Sequence, residues 1–251
     1  MAHREQHGFT LVEIAIVLVI IGLLLGGILK GQELITSARV RNLITQIDGV
    51  KTAFYGFQDR YRALPGDFMQ ADTQIPGETP GNTVVDGNGN AIIEGPNTPA
   101  GAVGGATVNS KEATLVWDQL SHAGFLNGTY VYNATQSPST TPTNPWGAYM
   151  DLEYDDWYAD ATNTTGANVG NCTTLSCRHN FKTGNQIPVD ILAEVDRKID
   201  DGNPLTGTVR FSAYNANGNA PTASTCINTT VTPAVWQSGA GTANCGAAIL
   251  Y

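Results

Sequence analysis

Residues 9–29 read FTLVEIAIVLVIIGLLLGGIL, an apolar run carrying one charge, Glu13. At 1.5 Å per residue a helix of this length spans ~31 Å, about one hydrocarbon core. The stretch before it, MAHREQHG, holds Arg4 as its only Lys or Arg. A secretory signal also places charge before an apolar run, but that run is roughly 7–15 residues and a small-x-small cleavage site follows it. Here the run is longer and leads straight into KGQELITSARV, which continues a helical pattern. Apolar residues then recur at three- and four-residue steps: Leu34, Ile35, Ala38, Leu43, Ile44, Ile47, Val50, Phe54, Phe57 and Tyr61. Polar residues fill the gaps, and Pro65 disfavours helical geometry at Leu64. The spacing predicts one helix of about 54 residues, apolar all round in its first half and amphipathic in its second. Such a helix crosses a membrane or packs in a fibre core, then lays one stripe on a globular head.

The chain has 251 residues, enough for one substantial domain and an appendage. Charged residues make up 14%, against roughly 25% in ordinary globular proteins, while Asn (20), Thr (29) and Gly (28) are abundant. That exchange favours loops and β-structure over solvated helices. The net charge of −9 divides into +2 over residues 1–65 and −11 over residues 66–251. So acidic a body disfavours nucleic acid as the main ligand, because phosphate binding needs clustered cations. Four cysteines, Cys172, Cys177, Cys226 and Cys245, lie in the last third. They allow three pairings, of which the two local ones, Cys172–Cys177 and Cys226–Cys245, are preferred. Only His179 lies close enough in sequence to join them at a metal, so disulfides and an oxidising compartment are expected.

Residues 66–110 contain nine Gly, four Pro and no basic residue, and read as a long loop region. A hairpin is expected at VVDGNGNAII (84–93), where Asp-Gly and Asn-Gly steps suit tight turns. KEATLVWDQLSHAGFLNG (111–128) places Leu115, Leu120 and Phe125 near helical spacing ahead of Gly128. Strands are predicted at Thr129–Tyr132, Tyr149–Tyr154 and Thr208–Tyr214. A further helix follows Pro188 in VDILAEVDRKIDDG, with Gly202 beyond its end. The predicted fold class is α+β: a long N-terminal helix packed by its second half on an antiparallel sheet, with long loops and a disulfide-closed tail. Along the chain this gives a leader (1–8), a membrane or filament-core helix (9–29), its amphipathic continuation (30–64) and a head (65–251).

Gly8-Phe9-Thr10-Leu11-Val12-Glu13, followed by sixteen apolar or small residues, resembles the N-terminus of type IV pilins and pseudopilins. The resemblance is strong over residues 1–65. It is looser at Tyr61–Asp67, around Trp117, Leu120 and Ala123-Gly124, and at Asp200-Asp201-Gly202. It implies cleavage between Gly8 and Phe9 by a membrane prepilin peptidase, then N-methylation of the new amino group on Phe9. It also implies that Glu13 pairs with the Phe9 amino group of a neighbouring subunit, which would neutralise a carboxylate costing ~2–3 kcal/mol in an apolar span and set the subunit stagger. Read from the residues alone, Glu13 lies only ~6 Å in from Phe9 and reaches the headgroups. Gly22, Gly26, Gly27 and Gly31 form overlapping GxxxG patterns, which suit ordinary membrane-helix composition, close helix approach or local unwinding alike. Many pilins carry a helix-breaking Pro in this span; here none precedes Pro65.

The function implied is structural: a prepilin held in the bacterial inner membrane with its head in the periplasm, then polymerised into a type IV pilus-like filament at the cell surface. The implied partners are the peptidase, a platform membrane protein, an assembly ATPase, and copies of itself or related pilins. A pseudopilin of a type II secretion system is the alternative within the class, and the large head with its Gly/Thr/Asn-rich loops tilts toward a pilus. A membrane-tethered binding module or adhesin that never polymerises is the alternative from another class. No enzyme is expected: His3, His7, His122 and His179 are scattered, with no metalloprotease or Ser/His/Asp pattern. Alternation puts Asp151, Glu153 and Asp155 on one strand face, read as a solvated face. No cofactor is expected, save that Asp200, Asp201 and Asn203 offer oxygens suited to a calcium ion, as the resemblance to calcium-binding pseudopilins also implies. The other reading is a helix end in which Asp and Asn satisfy a turn and Gly202 takes the positive-φ position. Asp86–Asn90 opens like a calcium loop, but Ala91 and Asn97 stand where Gly and Glu are required, so it reads as a turn.

Overall fold

The apolar run and its amphipathic continuation form one unbroken helix, α1 (Leu11–Tyr61). The computed structural model describes residues 11–78, 85–96, 98, 111–167, 177–215 and 218–251. α1 is 51 residues long, or ~77 Å. Arg62, at φ 54°, stops it a little short of the predicted end at Leu64, because a left-handed residue turns the chain off the helix axis. Burial on α1 begins at Val40 and continues through Leu43, Ile47, Val50, Ala53, Phe54 and Phe57, one stripe at helical spacing. Leu34 and Ile35 stay exposed, so the stripe starts later than the apolar pattern does.

The stripe packs on two further helices, α3 (Glu112–His122) and α4 (Val189–Ile199). Both lie where the sequence places them; a single-turn helix, α2 (Ala71–Gln74), intervenes. Pro188 caps α4, and Gly202 beyond its end takes φ 77°. Behind the helices lies a four-stranded antiparallel sheet of β1 (Asp151–Asp155), β2 (Arg178–Lys182), β3 (Val209–Phe211) and β6 (Ala247–Leu250), in the order β1-β2-β6-β3. α5 (Ala223–Cys226), β4 (Ile227–Asn228) and β5 (Val235–Trp236) make a small side element. Trp117 of α3 meets Phe181 of β2 edge-on at 6.2 Å, and Phe54 of α1 stacks on Tyr251 at 4.7 Å. Helix, sheet and chain end therefore share one core.

Two predicted β segments do not form. In place of a hairpin, the described residues 85–93 are irregular and wrap around buried carboxylates. Asp67 accepts N–H bonds from Gly89 (2.6 Å), Asn90 (3.1 Å) and Ala91 (2.7 Å), and Glu112 accepts from Asn88 and Glu94 at 3.0 Å. Side-chain oxygens thus satisfy the N–H groups a partner strand would have taken. At Thr129–Tyr132 the same happens: Tyr130 N–H donates to Ser121 Oγ and Tyr132 N–H to Asp118 Oδ2, both on α3. The tail is closed by the Cys226–Cys245 disulfide as expected, yet it also supplies β6, which lies between β2 and β3. Cys177 is disulfide-bonded too; Cys172, its expected partner, lies outside the described residues.

Candidate functional site: the N-terminal assembly segment

Leucine, isoleucine and valine dominate Leu11–Leu29, which is apolar on every face. Ile, Val and three Gly are weak helix formers, so the helix is favoured because it satisfies the backbone internally in an apolar medium. Every residue from Leu11 to Leu29 is exposed in the isolated chain. A contiguous aliphatic surface of this extent needs a lipid or protein environment, and the segment is long and apolar enough to cross a membrane. Glu13 is the acidic group at its start. Gly8 and Phe9, the expected cleavage and methylation positions, lie outside the described residues. Around Gly22, Gly26, Gly27 and Gly31 no atom approaches within 4 Å of an added Cβ. The chain's own packing therefore places no demand for glycine there. α1 stays α-helical through all four.

The head carries charge of a kind the sequence reading missed. Asp151, Glu153 and Asp155 do share one face of β1, but all three are buried, as is Lys182 of β2. This corrects the reading of a solvated strand face. Register explains it: Asp151 pairs with Lys182, Glu153 with Asn180 and Asp155 with Arg178, so the lysine enters from the neighbouring strand. Lys182 Nζ lies 2.7 Å from Asp155 Oδ2 and 3.3 Å from Glu153 Oε1, and 5.5 Å from the centre of the Tyr214 ring. Asp155 Oδ1 accepts from Asn180 Nδ2 at 2.7 Å and from Trp157 N–H at 3.0 Å. Burial, then the neighbouring Glu153, pushes the Asp155 carboxyl up to about 7 even though Lys182 opposes the shift. Burial alone would lower Lys182, but Asp155, Glu153 and Asp151 outweigh it and hold the ammonium above its ordinary value. Three acids around one base make a shared-proton, buried ion cluster that joins β1 to β2.

The calcium expectation meets a loop whose oxygens already have donors. Asp200 Oδ2 accepts from Val209 N–H at 2.8 Å and also from Thr208 N–H. Asp201 takes Asn203 N–H and the Thr206 hydroxyl, and Asn203 Oδ1 takes Leu205 N–H. Carboxylate oxygens of Asp196, Asp200 and Asp201 converge beside this loop. Asp196 in turn accepts from Trp236 Nε1 at 2.7 Å and from Gly202 N–H at 3.2 Å. Of the histidines, His179 is half-buried, accepts Ile93 N–H on Nε2 and has its pKa pushed down to about 4 by desolvation, whereas His122 sits against two carboxylates.

The prokaryotic N-terminal methylation motif matches residues 3–29. The chain carries the signal of type IV pilins and pseudopilins. That match includes Gly8, Phe9, Glu13, Gly22, Gly26 and Gly27, and it ends with the apolar run at Leu29. No curated protein and no solved structure matches the chain. The signal marks substrates of prepilin peptidase that assemble into pilus-type polymers, and proteins bearing it are in general structural subunits. A single apolar helix near the N-terminus and an α+β head with an antiparallel sheet fit a membrane-anchored, single-pass protein of this layout.

Proposed function

We propose that this chain is a prepilin: cut between Gly8 and Phe9, N-methylated on Phe9 and assembled into a type IV pilus-like filament from the inner membrane, its head on the periplasmic side. The observation that carries this is the helix segment Leu11–Leu29, exposed on every face and headed by the methylation signal. A membrane covers such a surface before assembly, and the same segments of neighbouring subunits cover it afterwards. In that dry bundle Glu13 pairs with the Phe9 amino group of the adjacent subunit, and the open surface at Gly22, Gly26, Gly27 and Gly31 admits close helix neighbours. A platform membrane protein and a cytoplasmic ATPase supply the extraction from the bilayer. The disulfides fit a head outside the cytoplasm. A type II secretion pseudopilin shares the same signal; the large loop-rich head favours the pilus.

The test is the mass and N-terminal sequence of the mature protein from membrane and sheared-filament fractions. A chain beginning with N-methyl-Phe9 is expected. Glu13→Leu should leave that cleavage intact while abolishing or disordering filaments seen by electron microscopy. An N-terminus beyond residue 29 would sink the prepilin reading. Normal filaments from the Glu13→Leu chain would remove the pairing role.

A further inference from the structure

Asp118 and His122 lie one turn apart on α3, a spacing that puts both side chains on one face. Glu78, in the segment that follows α2, reaches the same point. His122 Nδ1 is 2.7 Å from Asp118 Oδ1 and 3.2 Å from Glu78 Oε1, and 3.1 Å from the Asp118 backbone oxygen. The site is enclosed but reachable: the Glu78 side chain is 5% exposed, Asp118 2% and His122 22%. Asp118 Oδ2 is committed to the Tyr132 N–H at 3.0 Å. The inward oxygens, Glu78 Oε1 and Asp118 Oδ1, are fully buried; the imidazole edge faces both, and the two carboxyl groups also share a hydrogen bond with each other. Asp86 adds a further negative charge acting on Glu78. With both acids ionised, two buried carboxylate oxygens pressed onto one ring nitrogen make a poor resting arrangement, since a single N–H cannot serve both fully. A proton held between the two carboxyls relieves it, and a cation would take that proton's place.

A divalent cation resolves it. One imidazole nitrogen and two carboxylate oxygens are the donor types of zinc, which takes three protein ligands and leaves a position for water. Calcium would want six to eight oxygens and no nitrogen. Donors held ~2.0–2.1 Å from a tetrahedral ion stand about 3.3 Å apart, so the observed 2.7 and 3.2 Å require only a small outward shift. We propose that Glu78, Asp118 and His122 bind a zinc ion that fastens the segment after α2 to α3. The site is far along the chain from the assembly segment and independent of the filament reading.

The experiment uses the full chain in detergent, incubated with zinc chloride, dialysed and analysed for metal, alongside His122→Ala and Glu78→Gln. Wild type should retain one zinc per chain and unfold at a higher temperature with zinc than without. His122→Ala should bind at least tenfold more weakly and lose the thermal shift, with Glu78→Gln serving if that variant fails to fold. X-ray absorption of the bound zinc should show a single imidazole among O/N donors at about 2.0–2.2 Å. Absence of stoichiometric zinc overturns the proposal. So does equal binding by wild type and both variants, which would place the metal elsewhere, for instance on His3 and His7.

Discussion

Lys182 has no exposed surface, and its ammonium touches Asp155 and Glu153 at 2.7 and 3.3 Å. Replacing it by Met keeps the volume and removes the cation that, among the described residues, balances the cluster, leaving three buried acids without an opposing charge. That change should cost about 3–5 kcal/mol of head stability, measured by urea unfolding in detergent. The cost should grow with pH. A buried carboxyl whose folded pKa is raised, as Asp155 is to about 7, holds a proton that the unfolded chain has released by about pH 4. Its stability is complete below that lower value and is lost as pH climbs through the folded one. Lys182→Met should therefore be nearer wild type at pH 5.5 than at pH 8; an equal deficit at both would show that charge is not the cause. The sequence made the shared face of Asp151, Glu153 and Asp155 legible, because strand alternation is local. It could not reveal the burial, because the lysine arrives from β2 after a connection of more than twenty residues.

α1 divides by burial at Val40, so substitutions along it should divide there too. Leu43→Ala, at a position with no exposed surface, should cost about 2–5 kcal/mol through the lost contact and the cavity left behind. Leu34→Ala, at a position 62% exposed, should change stability by no more than about 0.5 kcal/mol. Denaturant unfolding of the full chain in detergent compares them, and similar costs would mean the head grips α1 earlier than Val40. The helices α1, α3 and α4 could be read in advance because their apolar spacing lies within one continuous stretch. β2 and β6 could not. Arg178-His179-Asn180-Phe181-Lys182 has no apolar alternation, and Ala247–Leu250 is a four-residue strand at the end of a Gly/Thr/Asn-rich tail. Both are strands because of whom they pair with. The reverse error at Thr129–Tyr132 has the same root: β-like residues found donors and acceptors on α3 instead of a partner strand.

The whole molecule is a head with an apolar mast. A chain beginning at Lys30 retains every buried residue of α1 and lacks Leu11–Leu29, so it should be monomeric in water by size exclusion and melt within a few degrees of the full chain in detergent. Aggregation of that fragment would show that the exposed half contributes to the head's fold. The mast itself was decided by sequence alone: twenty-one nearly uncharged residues leave a helix in an apolar medium as the one way to satisfy the backbone. So were the methylation signal and the acidity of the body. Only the tertiary structure decided that the acidic strand face is closed over a lysine, that the last residues form a central strand, and that Glu78 meets Asp118 and His122. The first group depends on residues adjacent in the chain. The second depends on contacts between distant segments, where burial and pairing partner are settled only when the core closes.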